Sequence, residues 1–434
     1  MTLTHPMFRS GPRLLSRWLA GAVLALLAHA ALAQELPAAS PEELGMSSER
    51  LTRIGEWIRS EVAAGRVPGA VVMVARNGRL AYYEAIGRQD AAAPGAMRKD
   101  SLFRIYSMTK PLVSVAALML VEEGKLLLEA PVSRYIPSFA NLKVGVEKVD
   151  PATGAKSLEL VAVRRPMTVQ DLLRHTSGLT YGFFGDSLVK KAYLDAGVGS
   201  GDLNTAEFAE QLATLPLHYQ PGSTWDYSHS TDVLGRVLEV VSGQSLYSLL
   251  RARLLDPLGM RDTMFYVTDA ARQARIAEPL ADDRAIGAGA TVGDPRVLRK
   301  FESGGGGLVS TATDYSRFLQ MMLNGGTLDG RRYLSPRTIE YMTADHLGSS
   351  VATTPLYLPG PGHGFGLGFA TRKVTGEAAY ITPAGDYWWG GAGGTYFWVD
   401  PKTNLFVVFM MQSPRQRVVY RSILRNMVYA AVEK

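Results

Sequence analysis

The stretch that decides the fold reads Phe103-Arg104-Ile105-Tyr106-Ser107-Met108-Thr109-Lys110-Pro111, and an apolar run follows it as far as Leu120. A run of this length favours a buried helix, and we predict a helix over residues 107–123. Residues three apart share one face of a helix, so Lys110 can reach the hydroxyl of Ser107. A serine needs a neighbouring base to act as a nucleophile, and a desolvated lysine can lose its proton and serve as that base. The stretch therefore predicts a nucleophilic serine that a lysine activates.

The same spacing occurs a second time, at Ser187-Leu188-Val189-Lys190. A serine and a lysine three residues apart are common by chance, so the spacing alone identifies no site. The second pair follows a Gly-rich, aromatic loop and has no long apolar helix behind it. We therefore assign the nucleophile to Ser107 and keep Ser187 as the weaker alternative.

Patterns on either side of this stretch predict a sheet built from both ends of the chain. Near the N-terminus, Asn77-Gly78 marks a tight turn between two apolar strands. Near the C-terminus, three short aromatic-rich strands precede a last helix, and the middle of the chain is mainly helical apart from a hairpin over residues 142–163. The predicted helices are 47–62, 107–123, 169–173, 231–242 and 420–432, and the predicted strands are 70–75, 80–85, 387–389, 395–399 and 405–411.

Two further elements follow the serine–lysine pair in chain order, Tyr227-Ser228-His229 and Trp389-Gly390-Gly391. In this order the three elements resemble the serine β-lactamase and penicillin-binding protein superfamily. The second is similar to the Tyr-x-Asn element of class C β-lactamases, with His229 in place of the asparagine. The third stands where β-lactamases carry Lys-Thr-Gly and resembles the Trp-Gly-Gly element of family VIII carboxylesterases. The resemblance runs from about Pro41 to the C-terminus, and the phrases at residues 172–179 and 304–310 support it.

The resemblance implies a β-lactamase/transpeptidase-like α+β fold. An antiparallel sheet flanked by terminal helices would carry an inserted, mainly helical lobe. We place the sheet lobe at about residues 42–106 and 300–434 and the helical lobe at about 107–299, within one catalytic domain of residues 34–434. Catalytic groups at the seam between two lobes come from distant parts of a chain.

The resemblance also implies roles for the site residues. Tyr227 would accept the Ser107 proton as a phenolate, or relay it beside Lys110. His229 would hold Lys110 or Tyr227 by a hydrogen bond, since a neutral imidazole both donates and accepts.

The substrate-binding strand would bring further groups to the same place. The backbone N–H groups of Ser107 and Ala392 would form an oxyanion hole. Gly390 and Gly391 would let this strand approach the substrate closely. The lysine that β-lactamases place near the substrate carboxylate is replaced by Trp389, and from this we predict a preference for neutral esters.

We therefore expect a carboxylesterase that forms an acyl-enzyme on Ser107 and acts on short-chain neutral esters. A β-lactamase, a D-alanyl peptidase or a transesterase on the same site are alternatives. A penicillin-binding-like receptor without turnover is an alternative of another class. The α/β-hydrolase fold is disfavoured, because no Gly-x-Ser-x-Gly occurs in the chain.

Three other features are interpreted as structural. His175 stands at a helix-to-turn junction and is expected to cap or pack. The run Gly304–Gly307 lacks the Gly-Lys-Ser/Thr ending of a phosphate loop and is expected to bend near the cleft. The aromatic cluster of Trp388, Trp389 and residues 396–398 alternates along strands, so part should lie in the core and part should line an apolar acyl pocket.

Composition narrows the classes of ligand. The chain has no cysteine, and its seven histidines show no metal-ligand spacing, so we predict no metal and no cofactor. Setting aside the three arginines before Gln34 leaves 43 basic and 40 acidic residues of the original 46 and 40, a balance that argues against nucleic acid. The expected partner is a small ester or β-lactam-like molecule.

The first 33 residues predict export. Arg9, Arg13 and Arg17 precede an apolar run from Trp18 to Ala28, and Ala31-Leu32-Ala33 follows. This order is typical of a secretory signal peptide, and the run is too short to span a bilayer. We expect cleavage after Ala33, a periplasmic or secreted protein, and no stable membrane insertion after cleavage.

Overall fold

The computed structural model describes residues 1–2, 35–200, 202–287 and 289–434. Most of the predicted signal peptide lies outside these ranges. The strands are β1 Gly69–Arg76, β2 Arg79–Gly87, β3 Phe103–Arg104, β4 Lys143–Val149, β5 Lys156–Ala162, β6 Ala285–Gly287, β7 Ala290–Thr291, β8 Val309–Ser310, β9 Thr327–Leu328, β10 Arg331–Arg332, β11 His363–Phe365, β12 Ala370–Arg372, β13 Tyr387–Gly390, β14 Tyr396–Asp400 and β15 Leu405–Met411. The helices are α1 Ser48–Ala63, α2 Thr109–Glu122, α3 Val169–Leu173, α4 Leu188–Asp195, α5 Thr205–Ala213, α6 Ser230–Ser242, α7 Leu246–Leu250, α8 Asp256–Leu258, α9 Ala270–Gln273, α10 Ala312–Leu323, α11 Pro336–Thr343 and α12 Arg417–Ala430.

One antiparallel sheet joins the two ends of the chain, as predicted. Its seven strands run in the order β11-β12-β13-β14-β15-β1-β2, so the N-terminal hairpin pairs directly with the last strand. Asn77 and Gly78 both have positive φ, the backbone that a two-residue hairpin turn requires. Every residue of β1 and β15 is buried. Strands buried in this way need cover on both faces, which the terminal helices and α10 provide.

The segment between the two sheet portions is mainly helical. Its centre is α2, in which every residue from Thr109 to Leu120 is buried. A helix that is apolar all round belongs in a core rather than at a surface. The inserted hairpin forms as β4 and β5, within the residues predicted for it. The α+β prediction is therefore confirmed, and residues Leu36–Lys434 form one compact unit.

Element boundaries differ from the predictions by a few residues. The side chain of Ser47 accepts a hydrogen bond from the backbone of Arg50, so α1 begins one residue later than predicted. The last helix starts at Arg417, three residues earlier than predicted, and the two valines of its first turn, Val418 and Val419, are exposed rather than packed in the core. Across the described residues, no helix combines the length and the apolar character needed to cross a bilayer.

Candidate active site

Residues that the sequence analysis assigned to the site line one cavity of about 230 Å³. The wall includes Ser107, Tyr227 and the run from Trp389 to Ala392. Lys110 is buried beside Ser107, with its ammonium within hydrogen-bond reach of the serine hydroxyl. The fold therefore brings together groups from three distant segments of the chain.

Ser107 lies in a tight turn that precedes the long helix. Tyr106–Met108 forms one turn of 3-10 helix and α2 begins only at Thr109, so the prediction of a helix from residue 107 is corrected. Tyr106 has φ +44°, a left-handed backbone that bulky residues rarely adopt and that is typical of functional sites. Two segments far apart in the chain hold this turn, since Gly293 N donates to the Tyr106 hydroxyl at 3.1 Å and Thr395 Oγ1 donates to the Ile105 carbonyl at 3.3 Å.

Lys110 has three hydrogen-bond acceptors around its buried ammonium. Its Nζ lies 3.3 Å from Ser107 Oγ, 3.2 Å from the Tyr181 hydroxyl and 2.6 Å from the Gly305 carbonyl oxygen. It also lies 4.5 Å from the centre of the Tyr227 ring. These acceptors match the three donors of an ammonium. A neutral Lys110 would use the same contact to accept the Ser107 proton.

Tyr227 lies within the same aromatic wall. Its hydroxyl accepts a hydrogen bond from Trp389 Nε1 at 3.3 Å, and the His175 ring packs 4.8 Å away. The phenol oxygen thus has a hydrogen-bond donor beside it, and the Lys110 ammonium lies over the face of the ring. Tyr227 and Ser107 line the same cavity, and no hydrogen bond joins their hydroxyls within the described residues. Direct transfer between them remains a prediction.

His229 does not make the predicted contact with Lys110 or Tyr227. Its Nδ1 lies 3.2 Å from Asp232 Oδ2, one turn further along α6. Its ring packs edge-on against Tyr181, with 4.3 Å between ring centres. The prediction is wrong because a buried carboxylate three residues away competes for the imidazole.

Tyr181 takes the position beside Lys110 that was assigned to His229. Burial, with the charge of Asp232, raises the pKa of Tyr181 well above its ordinary value, so the phenol stays protonated. It therefore orients the lysine as a neutral hydroxyl. Tyr181 was not predicted as a site residue, because no spacing rule connects it with Lys110, 71 residues earlier.

Asp232 was also missed, and it explains the glycine run. Its carboxylate accepts hydrogen bonds from Ser303 Oγ at 2.6 Å and Gly305 N at 2.9 Å. Burial would raise the pKa of Asp232, but the hydrogen bond and charge of His229 and the charge of Lys110 hold it below its ordinary value. A Cβ on Gly305 would lie 2.5 Å from this carboxylate. The bend predicted near the cleft therefore presents the Gly305 carbonyl to Lys110.

Gly390 and Gly391 make room for protein groups. A Cβ on Gly390 would lie 2.4 Å from the Arg421 guanidinium, and one on Gly391 would lie 2.5 Å from the Ile105 carbonyl oxygen. These glycines thus bring the strand against the nucleophile turn, in addition to lining the cavity. The backbone N–H of Ala392 donates to no acceptor within the described residues, so it is available to an oxyanion.

A second chamber, of about 200 Å³, meets the first at the nucleophile. Both chambers share Ser107, Phe184, Tyr227 and Ala392. The rings of Phe183, Phe184, Phe208 and Phe301 make up much of the wall of the second chamber, and the polar side chains of His229 and Asp232 also line it. The C-terminal aromatic cluster divides as expected: Trp388, Trp389 and Tyr396 line the first chamber, and Phe397 and Trp398 lie in the core.

The first chamber also contains two cations that the sequence analysis did not anticipate. Arg417 and Arg421 project into it from α12. The prediction of neutral substrates rested on the loss of a lysine at Trp389. With two arginines in the same wall, that loss does not leave the site without positive charge, so Trp389 by itself does not predict neutral substrates.

Ser187, Lys190 and His175 have structural roles and lie outside the catalytic contacts. Ser187 Oγ accepts a hydrogen bond from Lys190 N at 3.1 Å and caps α4, and Lys190 Nζ donates to the Phe184 carbonyl. His175 is fully buried among aromatic rings, and burial lowers its pKa well below its ordinary value.

Within the described ranges, no group of three or more acidic or histidine side chains is placed to hold a metal ion.

Comparison with known proteins finds chains that are similar to this one over most of its length. The family model described as Beta-lactamase matches residues 54–429. Protein Rv1367c of Mycobacterium tuberculosis (strain ATCC 25618 / H37Rv) is 38% identical over 82% of this chain and 88% of its own length. Esterase EstB of Burkholderia gladioli is 33% identical over 84% and 91%. The solved structure of EstCE1, a hydrolase with promiscuous acyltransferase activity, has a TM-score of 0.74 and is 28% identical over 89% of this chain and 99% of its own.

Proposed function

The chain belongs to the Beta-lactamase family and is a serine hydrolase, and from that premise we propose that it is a carboxylesterase that forms an acyl-enzyme on Ser107. One observation carries the proposal. Lys110 Nζ lies 3.3 Å from Ser107 Oγ in a cavity that Tyr227 and Ala392 also line. A nucleophile, a proton acceptor and an N–H donor thus surround one position for a carbonyl group.

The proposed reaction has two acyl transfers. Ser107 Oγ attacks the ester carbonyl carbon while its proton passes to Lys110 or Tyr227, and the carbonyl oxygen becomes an oxyanion at the N–H groups of Ser107 and Ala392. The oxyanion collapses, the C–O bond to the alcohol breaks, and the alcohol leaves with that proton. Water then attacks the acyl-enzyme by the same steps, and the acid is released with Ser107 restored.

Ester substrates are favoured over β-lactams and peptides by two observations. The relatives include an esterase, EstB, and a hydrolase, EstCE1. The Phe-lined chamber of about 200 Å³ beside Ser107 suits the apolar part of a short acyl chain. Because Arg417 and Arg421 line the other chamber, we propose short-chain esters without assigning a charge to their acyl or alcohol part.

A substrate panel tests this proposal. We expect 4-nitrophenyl butyrate to be hydrolysed with a kcat/KM at least about tenfold above that of a chromogenic cephalosporin or a D-alanyl peptide. The measurement is steady-state turnover of all three by the same preparation. Equal turnover of the cephalosporin would refute the carboxylesterase assignment and leave the Ser107 mechanism in place. Binding of all three without turnover of any would instead favour a receptor.

We also propose that the protein is exported, on the strength of the charged start, apolar run and Ala31-Leu32-Ala33 end. The protein from its native host is expected to begin at or near Gln34. N-terminal sequencing of the secreted or periplasmic fraction measures this directly. An intact Met1 on the working protein would contradict export by a cleaved signal.

A further inference from the structure

Two arginines from one helix lie in the wall of the catalytic cavity. Arg417 and Arg421 are four residues apart on α12, so their side chains emerge on the same face, one turn apart. Both line the chamber that contains Ser107 and Trp389. No Asp or Glu lines this chamber in the part of the chain that the structure describes.

Neither guanidinium has an ion-pair partner among the described residues. Arg421 Nη2 donates to the carbonyl oxygens of Gly391 at 2.9 Å and Thr395 at 3.4 Å, while its buried Nε has no partner. Arg417 Nη1 donates to the Pro414 carbonyl at 2.7 Å. An Arg fork carries five N–H donors that suit a carboxylate, and most of those on this pair are unused.

Burial makes these two positive charges costly. Burial lowers the pKa of Arg421 to about 10, and the neighbouring Arg417 adds to that effect. Burial also lowers the pKa of Arg417, against the opposing charge of Asp283. That carboxylate is engaged elsewhere, with the Ser413 hydroxyl and the Arg415 backbone. An anion in the chamber would relieve the desolvation of both cations.

The rest of the chamber suits the apolar part of a ligand. The rings of Tyr380, Trp388 and Trp389 line the same chamber, and so do the exposed side chains of Leu358 and Val418. The Arg421 guanidinium lies 5.2 Å from the centre of the Tyr396 ring. Gly390 is needed for this arrangement, since any side chain there would displace the Arg421 guanidinium.

We propose that Arg417 and Arg421 form a carboxylate-binding subsite, so that the preferred substrate is an ester that carries a carboxylate. This inference rests on the proposed ester hydrolysis at Ser107. The carboxylate could be borne by the acyl part or by the alcohol part of the ester, and both sources present the same chemistry to the two guanidinium groups.

Matched ester pairs separate the two sources. For the acyl part, the pair is the 4-nitrophenyl monoester of adipic acid and 4-nitrophenyl hexanoate. For the alcohol part, the pair is 3-carboxyphenyl butyrate and phenyl butyrate. We expect the wild type to favour the charged member of one pair. The ratio of kcat/KM, charged over neutral, should fall about ten- to a hundredfold in Arg417→Gln and in Arg421→Gln.

Two further variants show whether charge or packing is responsible. Arg421→Lys keeps the cation and should retain part of the preference, whereas a purely structural role would lower turnover of both members equally. Arg415→Gln removes an exposed arginine just before the same helix and should leave the ratio unchanged. Circular dichroism and thermal unfolding report whether each variant folds. If Arg421→Gln does not fold, Arg417→Gln still tests the proposal, because within the described residues the Arg417 side chain makes one hydrogen bond, to the Pro414 carbonyl.

The outcomes distinguish the two proposals. Ratios at or below one for both pairs in the wild type, unchanged in the arginine variants, would overturn the subsite while ester hydrolysis stands. Failure of the wild type to hydrolyse any of the four esters would overturn the proposed function and the subsite with it.

Discussion

Replacement of Ser107 by alanine is expected to abolish both turnover and covalent labelling by a fluorophosphonate probe. The loss of turnover should be at least about a thousandfold, because the covalent intermediate can no longer form. The fold should survive, since Ser107 Oγ makes one side-chain hydrogen bond within the described residues and Lys110 keeps Tyr181 and Gly305. The measurements are 4-nitrophenyl butyrate hydrolysis, probe labelling and thermal unfolding of the variant.

The second serine–lysine pair supplies the control. Ser187→Ala removes the cap of α4, which should lower the free energy of unfolding by about 1 kcal/mol. Labelling and turnover should remain those of the wild type. Labelling that persists in Ser107→Ala and disappears in Ser187→Ala would show that the wrong pair was assigned.

Lys110→Ala and Tyr227→Phe are each expected to lower kcat by at least about a hundredfold, the scale of removing a general base. Lys110 Nζ lies 4.5 Å from the centre of the Tyr227 ring and 3.3 Å from Ser107 Oγ, so the three groups are close enough to share one proton path. If they do, the double variant should lose little beyond the worse single variant. The measurement is kcat for 4-nitrophenyl butyrate in the two single variants and the double variant.

Losses that multiply in the double variant would mean that Lys110 and Tyr227 act independently. Tyr387→Phe is a matched control, because Tyr387 is buried on the strand of Trp389 and its hydroxyl has no partner within the described residues. Its kcat should stay close to that of the wild type. Lys110→Ala also leaves a cavity in the core, into which the neighbouring residues can shift. Lys110→Met preserves most of the side-chain volume, so its loss of activity reports removal of the amine alone.

The sequence predicted those parts of the fold that depend on local patterns. The turn at Asn77-Gly78 needs two residues with positive φ, and these residue types supply them. The long helix after Ser107 was predicted from its apolar run, because a helix that is apolar on all sides is stable only when it is buried in the core. The predicted start of that helix was two residues too early, because contacts with Gly293 and Thr395 hold residues 105 and 106 in a separate turn with a left-handed backbone at Tyr106.

The contacts around Lys110 and Arg421 depend on residues that are far apart in the chain. Tyr181 and Gly305, which contact Lys110, lie 71 and 195 residues from it in the sequence. Arg421, on the last helix, occupies the space that a side chain at Gly390 would fill. No spacing rule predicts such meetings. The error at His229 has the same origin, since its motif position suggested Lys110 as a partner while Asp232 was nearer.

The central claim is that hydrolysis passes through an ester of Ser107, and trapping that ester tests it most directly. The wild-type protein is mixed with excess 4-nitrophenyl butyrate, quenched in acid during turnover, digested and analysed by peptide mass spectrometry. We predict a butyryl group on the peptide that contains Ser107, localised to that hydroxyl, and its absence in Ser107→Ala. Release of nitrophenol with the butyryl group on another side chain would contradict the account.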